Sequence, residues 1–394
     1  MPSQEAYWLA LRRVRGVGPR IFRLLIDKFG APEKVLALDQ EQIAAAGVSR
    51  QVARNIAEFR DYDPLERELC ELPRLGARLL KLTDADYPPN LRQIADPPPY
   101  LYVRGDAPLA ESHCIAIVGA RAASDAGRRM AQRLGLELAA KGFTVVSGLA
   151  RGIDGEAHQG ALDAGGRTVA VMGCGIDVIY PTEHRKLAEA IIAGGGALVT
   201  EFPVGTQPIA ENFPPRNRIL SGLCLGVIIV EAADRSGSLI TARMALEQDR
   251  QVFAVPGSPL TGKTRGSNRL LKEGAKLVEC VEDVVEELVP QMMPLASSGA
   301  ASQSQKDRPE PTSAAISGVR QSEVSAGRNP AAPLLGATDE AQVILEFLKQ
   351  DQKLHVDSLI EASGLKAQTV LTLLLELELR GQVAQHPGKL FSLA

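Results

Sequence analysis

The feature that most constrains this chain of 394 residues is an alternation running from residue 113 to residue 289. Seven short apolar runs stand at 114–118, 144–146, 168–172, 197–200, 225–230, 252–255 and 276–278. Stretches with apolar residues at helical spacing separate most of them, at 125–141, 153–163, 183–193, 238–249 and 268–273. A strand that is apolar at every position is buried on both faces, and strands joined through helices pair in parallel. The middle of the chain is therefore expected to be an α/β fold, a Rossmann-like doubly wound parallel sheet. Ligands of such sheets lie beyond the carboxyl ends of the strands, so the residues following each run are the candidate site.

The flanks read differently. Residues 1–80 have the pattern of short helices. One begins around Tyr7, Trp8, Leu9 and Leu11, the turn Gly16-Val17-Gly18-Pro19 ends it, and a second covers 20–29. A repeat of this pattern follows around Ile43, with Gly47-Val48-Ser49 leading into a helix through Ile56. Helix, glycine turn, helix is the helix-hairpin-helix (SAM-like) arrangement. Its turn amides can hold a phosphate, or the glycines can simply cap helices. Residues 81–112 form a Pro-rich extension in which Leu101-Tyr102-Val103 could add a strand, and 81–289 is taken as one domain. Residues 290–333, rich in Ala, Ser, Pro, Gly and Gln, read as a flexible linker. Residues 334–394 regain helical spacing and end in a short hairpin, a winged-helix-like pattern.

Composition narrows the function classes. The five cysteines are widely spaced and form no Cys-x-x-Cys pair, which fits a reducing, cytoplasmic setting. No zinc signature, secretory signal or run of apolar residues long enough to cross a membrane is visible, so no metal and no membrane partner is expected. Net charge is −3, but it is unevenly placed. Residues 113–281 carry 19 basic against 16 acidic side chains, whereas 282–394 carry 9 against 15. A polyanion site is therefore expected in the middle domain and not in the tail.

The strand ends supply such a site. The first run ends in Gly119-Ala120-Arg121; G-x-G-x-x-G is missing, and Arg121 either pairs with an acid or contacts phosphate. The second ends in Ser147-Gly148, with Arg151 and Gly152 preceding Ile153 and Asp154. This is an anion cradle at a helix start, in which Asp154 is read as the helix cap. The third ends in Gly173-Cys174-Gly175, with Cys174 read as a buried thiol. After the fourth come Phe213, two prolines, and Arg216-Asn217-Arg218 at the start of an apolar helix. Two guanidiniums beside the positive end of a helix favour phosphate binding, and Asn217 can read a base edge or brace the loop. The fifth ends in Ser236-Gly237-Ser238, a second cradle or an N-cap. The sixth leads to a polar loop with Lys263, Arg265 and Asn268.

Taken in order and spacing, the segments Val118 to Arg121, Ser147 to Asp154, Phe213 to Gly222, Ser236 to Leu239 and Val255-Pro256-Gly257 resemble the DprA/Smf family of DNA-processing proteins. The helical front and winged-helix-like tail match longer members. The resemblance implies a protein that binds single-stranded DNA through its Rossmann-like domain, protects DNA taken up in natural transformation, and loads the recombinase RecA onto it. It implies a homodimer joined through the same domain, with no nucleotide or other cofactor and no catalytic residues. Two positions depart from the family: Ala120 stands where Ser is common, and Arg151 where Lys is frequent. Low aromatic content limits base stacking, so binding should be strongly electrostatic, with Phe213 the best stacking residue. The alternative is a phosphoribohydrolase-like enzyme on a related fold. Those enzymes carry a Pro-Gly-Gly-x-Gly-Thr-x-x-Glu loop, and this chain has Ser236-Gly237-Ser238-Leu239-Ile240-Thr241 in its place. In the tail, the segment 367–380 that would be the recognition helix is apolar and acidic. A protein contact, or an autoinhibitory one, is expected there in place of a grip on DNA.

Overall fold

The computed structural model describes residues 2–110 and 113–292 and, in discontinuous stretches, residues 344–393. The chain divides into two compact units, Met1–Ser302 and Gln303–Ala394. In the first unit, six short helices come first: α1 (Gln4–Arg13), α2 (Pro19–Phe29), α3 (Pro32–Leu36), α4 (Gln40–Ala44), α5 (Arg50–Ala57) and α6 (Asp63–Glu71). Pro19 and Pro32 occupy first-turn positions where no amide is needed, and Ser3, Asp39 and Ser49 cap α1, α4 and α5. Trp8, Leu9, Phe22, Leu25, Ile43 and Ile56 close over a shared core.

A nine-stranded sheet follows: β1 (Ala77–Lys81), β2 (Tyr100–Gly105), β3 (Cys114–Val118), β4 (Thr144–Ser147), β5 (Thr168–Val171), β6 (Ala197–Thr200), β7 (Gly226–Ile229), β8 (Gln251–Ala254) and β9 (Lys276–Leu277). Their order is β1-β2-β6-β5-β4-β3-β7-β8-β9. The seven strands β3 to β9 are parallel, and β2 joins β6 antiparallel with β1 outside it. The strand at 77–81 differs from the reading that ended the helical front at residue 80. The pattern Ala-Arg-Leu-Leu-Lys shows too little alternation in five residues to declare a strand, and its pairing with β2 is non-local. The Pro-rich extension also holds a short helix, α7 (Pro89–Gln93), begun by its own proline.

Side chains alternate across β3. Ile115 and Ile117 pack with α8 (Asp125–Ala140) and α9 (Ile153–Asp163), through Ala131, Leu134, Leu138 and Ala157. Cys114, Ala116 and Val118 face α11 (Phe213–Leu223) and α12 (Ser238–Glu247) through Ile219, Leu220, Ala242 and Ala245. The remaining helices, α10 (Arg185–Ala193), α13 (Arg265–Lys272) and α14 (Val281–Met292), complete the two layers. The helical front shares its core with Tyr100, Tyr102 and Leu198 of the sheet. The Glu68 carboxylate latches the two together: it binds Arg13 at 2.6 Å and accepts from Tyr102 Oη at 2.6 Å and from the Val204 amide at 3.2 Å.

From β3 the chain winds outward through β4, β5 and β6, then returns to β7 on the other side of β3. The carboxyl ends of β3 and β7 thus flank a topological switch point, where the crevice of a doubly wound fold opens.

In the second unit, β10 (Leu354–His355), β11 (Val383–His386) and β12 (Leu390–Leu393) form an antiparallel sheet in the order β10-β12-β11, next to a helix at Val356–Ser363. Val370, Leu373, Leu374 and Leu377, within the expected recognition helix, are buried with Leu359, Val383 and Phe391. Its first residues and those at 378–380 lie outside the described residues, as does the expected linker from 293 to 333.

Candidate nucleic-acid interface

A cleft of about 420 Å³ opens at the switch point. Its lining includes Gly119 and Arg121 after β3, Ala150 and Asp154 after β4, Phe213, Arg216 and Asn217 of α11, and Ser236, Gly237, Ser238 and Thr241 after β7. Helices α9, α11 and α12 begin there because each follows a strand's carboxyl end, so three positive helix ends converge on it.

The frame of the cleft is buried and tightly bonded. Asp154, expected to cap a helix, instead accepts with Oδ2 from the Gly148 amide at 3.1 Å and the Ala150 amide at 3.4 Å. Burial pushes its pKa up, against the pull of Arg216 and those two amides. Arg216 is 5% exposed and donates through Nη1 to the carbonyls of Gly148, at 3.0 Å, and Val171. Burial lowers its pKa, opposed by Asp154. A Cβ on Gly148 would stand 2.5 Å from Arg216 Nη1 and 2.7 Å from Asp154 Oδ2, so these groups close on one another only because residue 148 has no side chain. Gly152, at φ +74°, starts α9 with its Cα against the Ala120 and Arg121 carbonyls, where a side chain has neither conformation nor room.

Arg218 turns away from the cleft. It forms an ion pair with Glu201 and donates to the Asp96 carbonyl at 2.9 Å. The acid that the sequence did not reveal near this arginine thus comes from the end of β6, distant along the chain and adjacent in space. Ser147 is fully buried and donates to the Ile117 carbonyl at 2.6 Å, and Asn268 clasps both the amide (3.0 Å) and the carbonyl (2.8 Å) of Gly257. Gly119 packs on Ile153, and the Ala120 amide donates to the Glu231 carbonyl at 2.7 Å. These residues shape the edge from within.

A second set reaches the opening. Arg121 is exposed, has no ion pair among the described residues, and lies over the Phe213 ring at 5.1 Å, with Arg216 on the same ring at 5.7 Å. Lys263 is exposed and reaches the Ala122 carbonyl at 3.0 Å, which brings the loop after β8 beside Arg121. Ser236 and Ser238 share a hydrogen bond at 2.7 Å with Gly237 exposed between them. Asn217 is 9% exposed, lines the cleft, and its side-chain amide has no partner among the described residues. Arg151 lies outside the cleft, in an adjoining groove of about 680 Å³ that shares Arg121 and adds Gly152, Arg128, Glu183, His184 and Lys186. It is ion-paired with Glu183, both groups remaining exposed.

Comparison with known proteins identifies the family. The model of DNA recombination-mediator protein A matches residues 78–289, more than half of the chain. The chain is 34% identical over 400 residues to protein Smf of Synechocystis sp., covering 98% of each. The chain belongs to the DprA/Smf family. A DprA winged helix domain matches 328–389 and a SAM-like helix-hairpin-helix tandem matches 9–61, in keeping with the architecture expected at both ends. Protein Smf of Escherichia coli is 38% identical over 89% of this chain and 86% of its own length. The X-ray structure of DNA processing protein A from Streptococcus pneumoniae aligns with a TM-score of 0.64 at 35% identity, covering 73% of this chain and 99% of that one.

Within this DprA/Smf chain, several residues at the edge have a part in the site that their place in the sequence does not assign. Asp154 organises the frame but reads as an ordinary cap. Thr241 lines the cleft one turn into α12, and Arg128, one turn into α8, lies on the adjoining groove with Lys186 of α10. Helical spacing from the strand ends was the available signal, since residues three or four positions into a helix share the face of its first residue. Tyr180 stands 44% exposed with its ring 6.1 Å from Phe213, and only the fold brings the two together.

Proposed function

We propose that this protein binds single-stranded DNA along the carboxyl edge of its sheet and acts there as a recombination mediator with no chemical step of its own. The observation that carries the reading is the convergence of exposed Arg121, the Phe213 ring and the Ser236-Gly237-Ser238 turn on one cleft at the switch point, with exposed Lys263 held beside Arg121 at the Ala122 carbonyl. Next to it, the groove of Arg128, Arg151 and Lys186 extends the basic track. Loops on a rigid edge suit a flexible backbone, and an aromatic ring beside guanidiniums suits unpaired bases. The enzyme alternative gains no support from the cleft. Asp154 is the one carboxylate in its lining among the described residues, and one of its oxygens is held by two amides. Glu231, at the end of β7, is 2% exposed and receives Ser124 Oγ at 2.6 Å.

The delivery of the strand to RecA and the homodimer through the Rossmann-like domain follow the family resemblance, the cytoplasmic setting follows the widely spaced cysteines, and all three are part of the same proposal. The test is titration of a fluorescent oligo-dT and a matched duplex at several salt concentrations, beside Arg121→Ala/Lys263→Ala. Both side chains are exposed, so the variant changes the surface and leaves the frame. Single strands are expected to bind preferentially, with a log–log salt slope that becomes shallower by about 0.7 for each phosphate that the variant no longer neutralises. Equal affinity for duplex, or an unchanged slope in the variant, refutes the assignment.

A further inference from the structure

In the groove that adjoins the cleft, two successive strand ends are fastened to each other. Arg151 stands in the turn after β4, directly before Gly152 begins α9, and Glu183 stands in the short turn Thr182–His184 after β5. The next residue seats that turn: His184 Nδ1 donates to the Leu149 carbonyl at 2.9 Å, in the same loop that carries Arg151. The Glu183 carboxylate is thereby delivered to Arg151, and the two form an ion pair whose side chains are 65% exposed for Arg151 and 47% for Glu183. The bond to Arg151 lowers the Glu183 pKa below its ordinary value, so Glu183 is charged at neutral pH. Arg121, Arg128 and Lys186 line the same groove and are exposed. Neither they nor Glu156, the other carboxylate of the lining, has an ion pair among the described residues. Of the four arginine and lysine side chains there, one is therefore already held, and a carboxylate offers a guanidinium the same pair of anionic oxygens as a backbone phosphate.

We propose that Glu183 stands in for a DNA phosphate: it occupies Arg151 in the free protein, and a phosphate of the bound strand displaces it. An exposed ion pair is weak, so the exchange tunes binding and does not block it. Arg121, Arg128 and Lys186 meet the strand without such a cost, whereas Arg151 gives up one anion to gain another. A strand held against a competitor built into the same groove is also released more readily, which suits a protein that passes its strand on. The inference rests on the single-strand reading above and gives Glu183 a part in it as an internal competitor.

The test titrates oligo-dT at a single salt concentration into the full chain, Glu183→Gln, Arg151→Gln and the double variant. Both side chains are exposed, so neither change disturbs the core. Glu183→Gln is expected to bind about two- to fivefold more tightly, the strength of an exposed ion pair read as a ratio of dissociation constants. That gain is expected to vanish in the Arg151→Gln background, where no guanidinium is left to release. A carboxylate that only repelled the strand through space would give the same gain in both backgrounds, and this result overturns the proposal. Unchanged binding by Glu183→Gln also overturns it, as does weaker binding, which would make Glu183 a support that holds Arg151 ready for DNA. Each of these outcomes leaves the single-strand reading standing. Failure of the original protein to bind oligo-dT refutes that reading, and the part given to Glu183 with it.

Discussion

Arg218→Ala separates a frame residue from a contact residue more sharply than any other substitution at this edge. The Arg218 side chain is 10% exposed and its partner Glu201 8% exposed. The guanidinium also holds the Asp96 carbonyl at 2.9 Å and lies 3.7 Å from the Asp96 carboxylate. Burial raises the pKa of Glu201, and Arg218 is the main group pulling it back. Removing the arginine strands a carboxylate inside the protein, which costs about 3–5 kcal/mol. Part of that loss is recovered as pH falls, because Glu201 then takes up a proton in the folded variant before it does in the unfolded chain. The measurement is urea unfolding followed by circular dichroism at neutral and mildly acidic pH, with Arg218→Met/Glu201→Gln as the control. The double variant removes both charges and is expected to unfold much closer to the original protein than Arg218→Ala does. If Arg218→Ala instead unfolds at the original urea concentration and yet loses oligonucleotide binding, the guanidinium faces DNA and the inward ion pair is wrong.

Two other substitutions probe the same frame. Gly148→Ala places a methyl group 2.5–2.7 Å from Arg216 and Asp154, and is expected to abolish oligo-dT binding and cost about 1–3 kcal/mol in urea unfolding; an unaltered affinity contradicts the close approach. His158 is fully buried, bonded to Thr168 Oγ1 at 2.7 Å, with its pKa lowered to about 3 chiefly by burial. Because its folded pKa is lower than the unfolded 6.5, its contribution is complete above pH 6.5 and is lost as pH falls toward 3. Between pH 6.5 and 5 this amounts to about 2 kcal/mol, and His158→Gln should flatten that part of the stability profile. An identical pH dependence in both proteins rejects the buried neutral imidazole.

The parallel sheet was legible because its signal is local and redundant. Strands β3 to β7 are buried at every position, and the helices beside them carry buried stripes, as α8 shows. Such repeats leave one economical topology. The strand β1 escaped because five residues with two adjacent leucines carry little periodicity, and only pairing with β2 reveals them. The edge of the sheet was legible as a place, since any glycine, serine or arginine directly after a strand must lie there.

What each arginine does at that edge was not legible, and the reason is geometric. Arg216 and Arg218 are two apart on one helix, about 200° around its axis, so they face opposite sides. One side looks at the ends of β4 and β5 and finds carbonyls; the other looks at the end of β6 and finds Glu201. Asn217, between them, lines the cleft with its side-chain amide unpartnered, beside the Arg216 guanidinium, whose Nε also has no partner among the described residues. Arg-Asn-Arg reads in sequence as a cationic fork with a polar spacer. In the fold the charges fasten α11 to the sheet through Arg216 Nη1 and Arg218, and the neutral residue lines the cleft with no side-chain hydrogen bond of its own among the described residues. An electrostatic reading of sequence counts charge near a site, whereas affinity depends on charge that no carbonyl or carboxylate has already taken. At this edge such charge is carried by exposed Arg121, whose value the sequence alone could not rank above the more crowded motif.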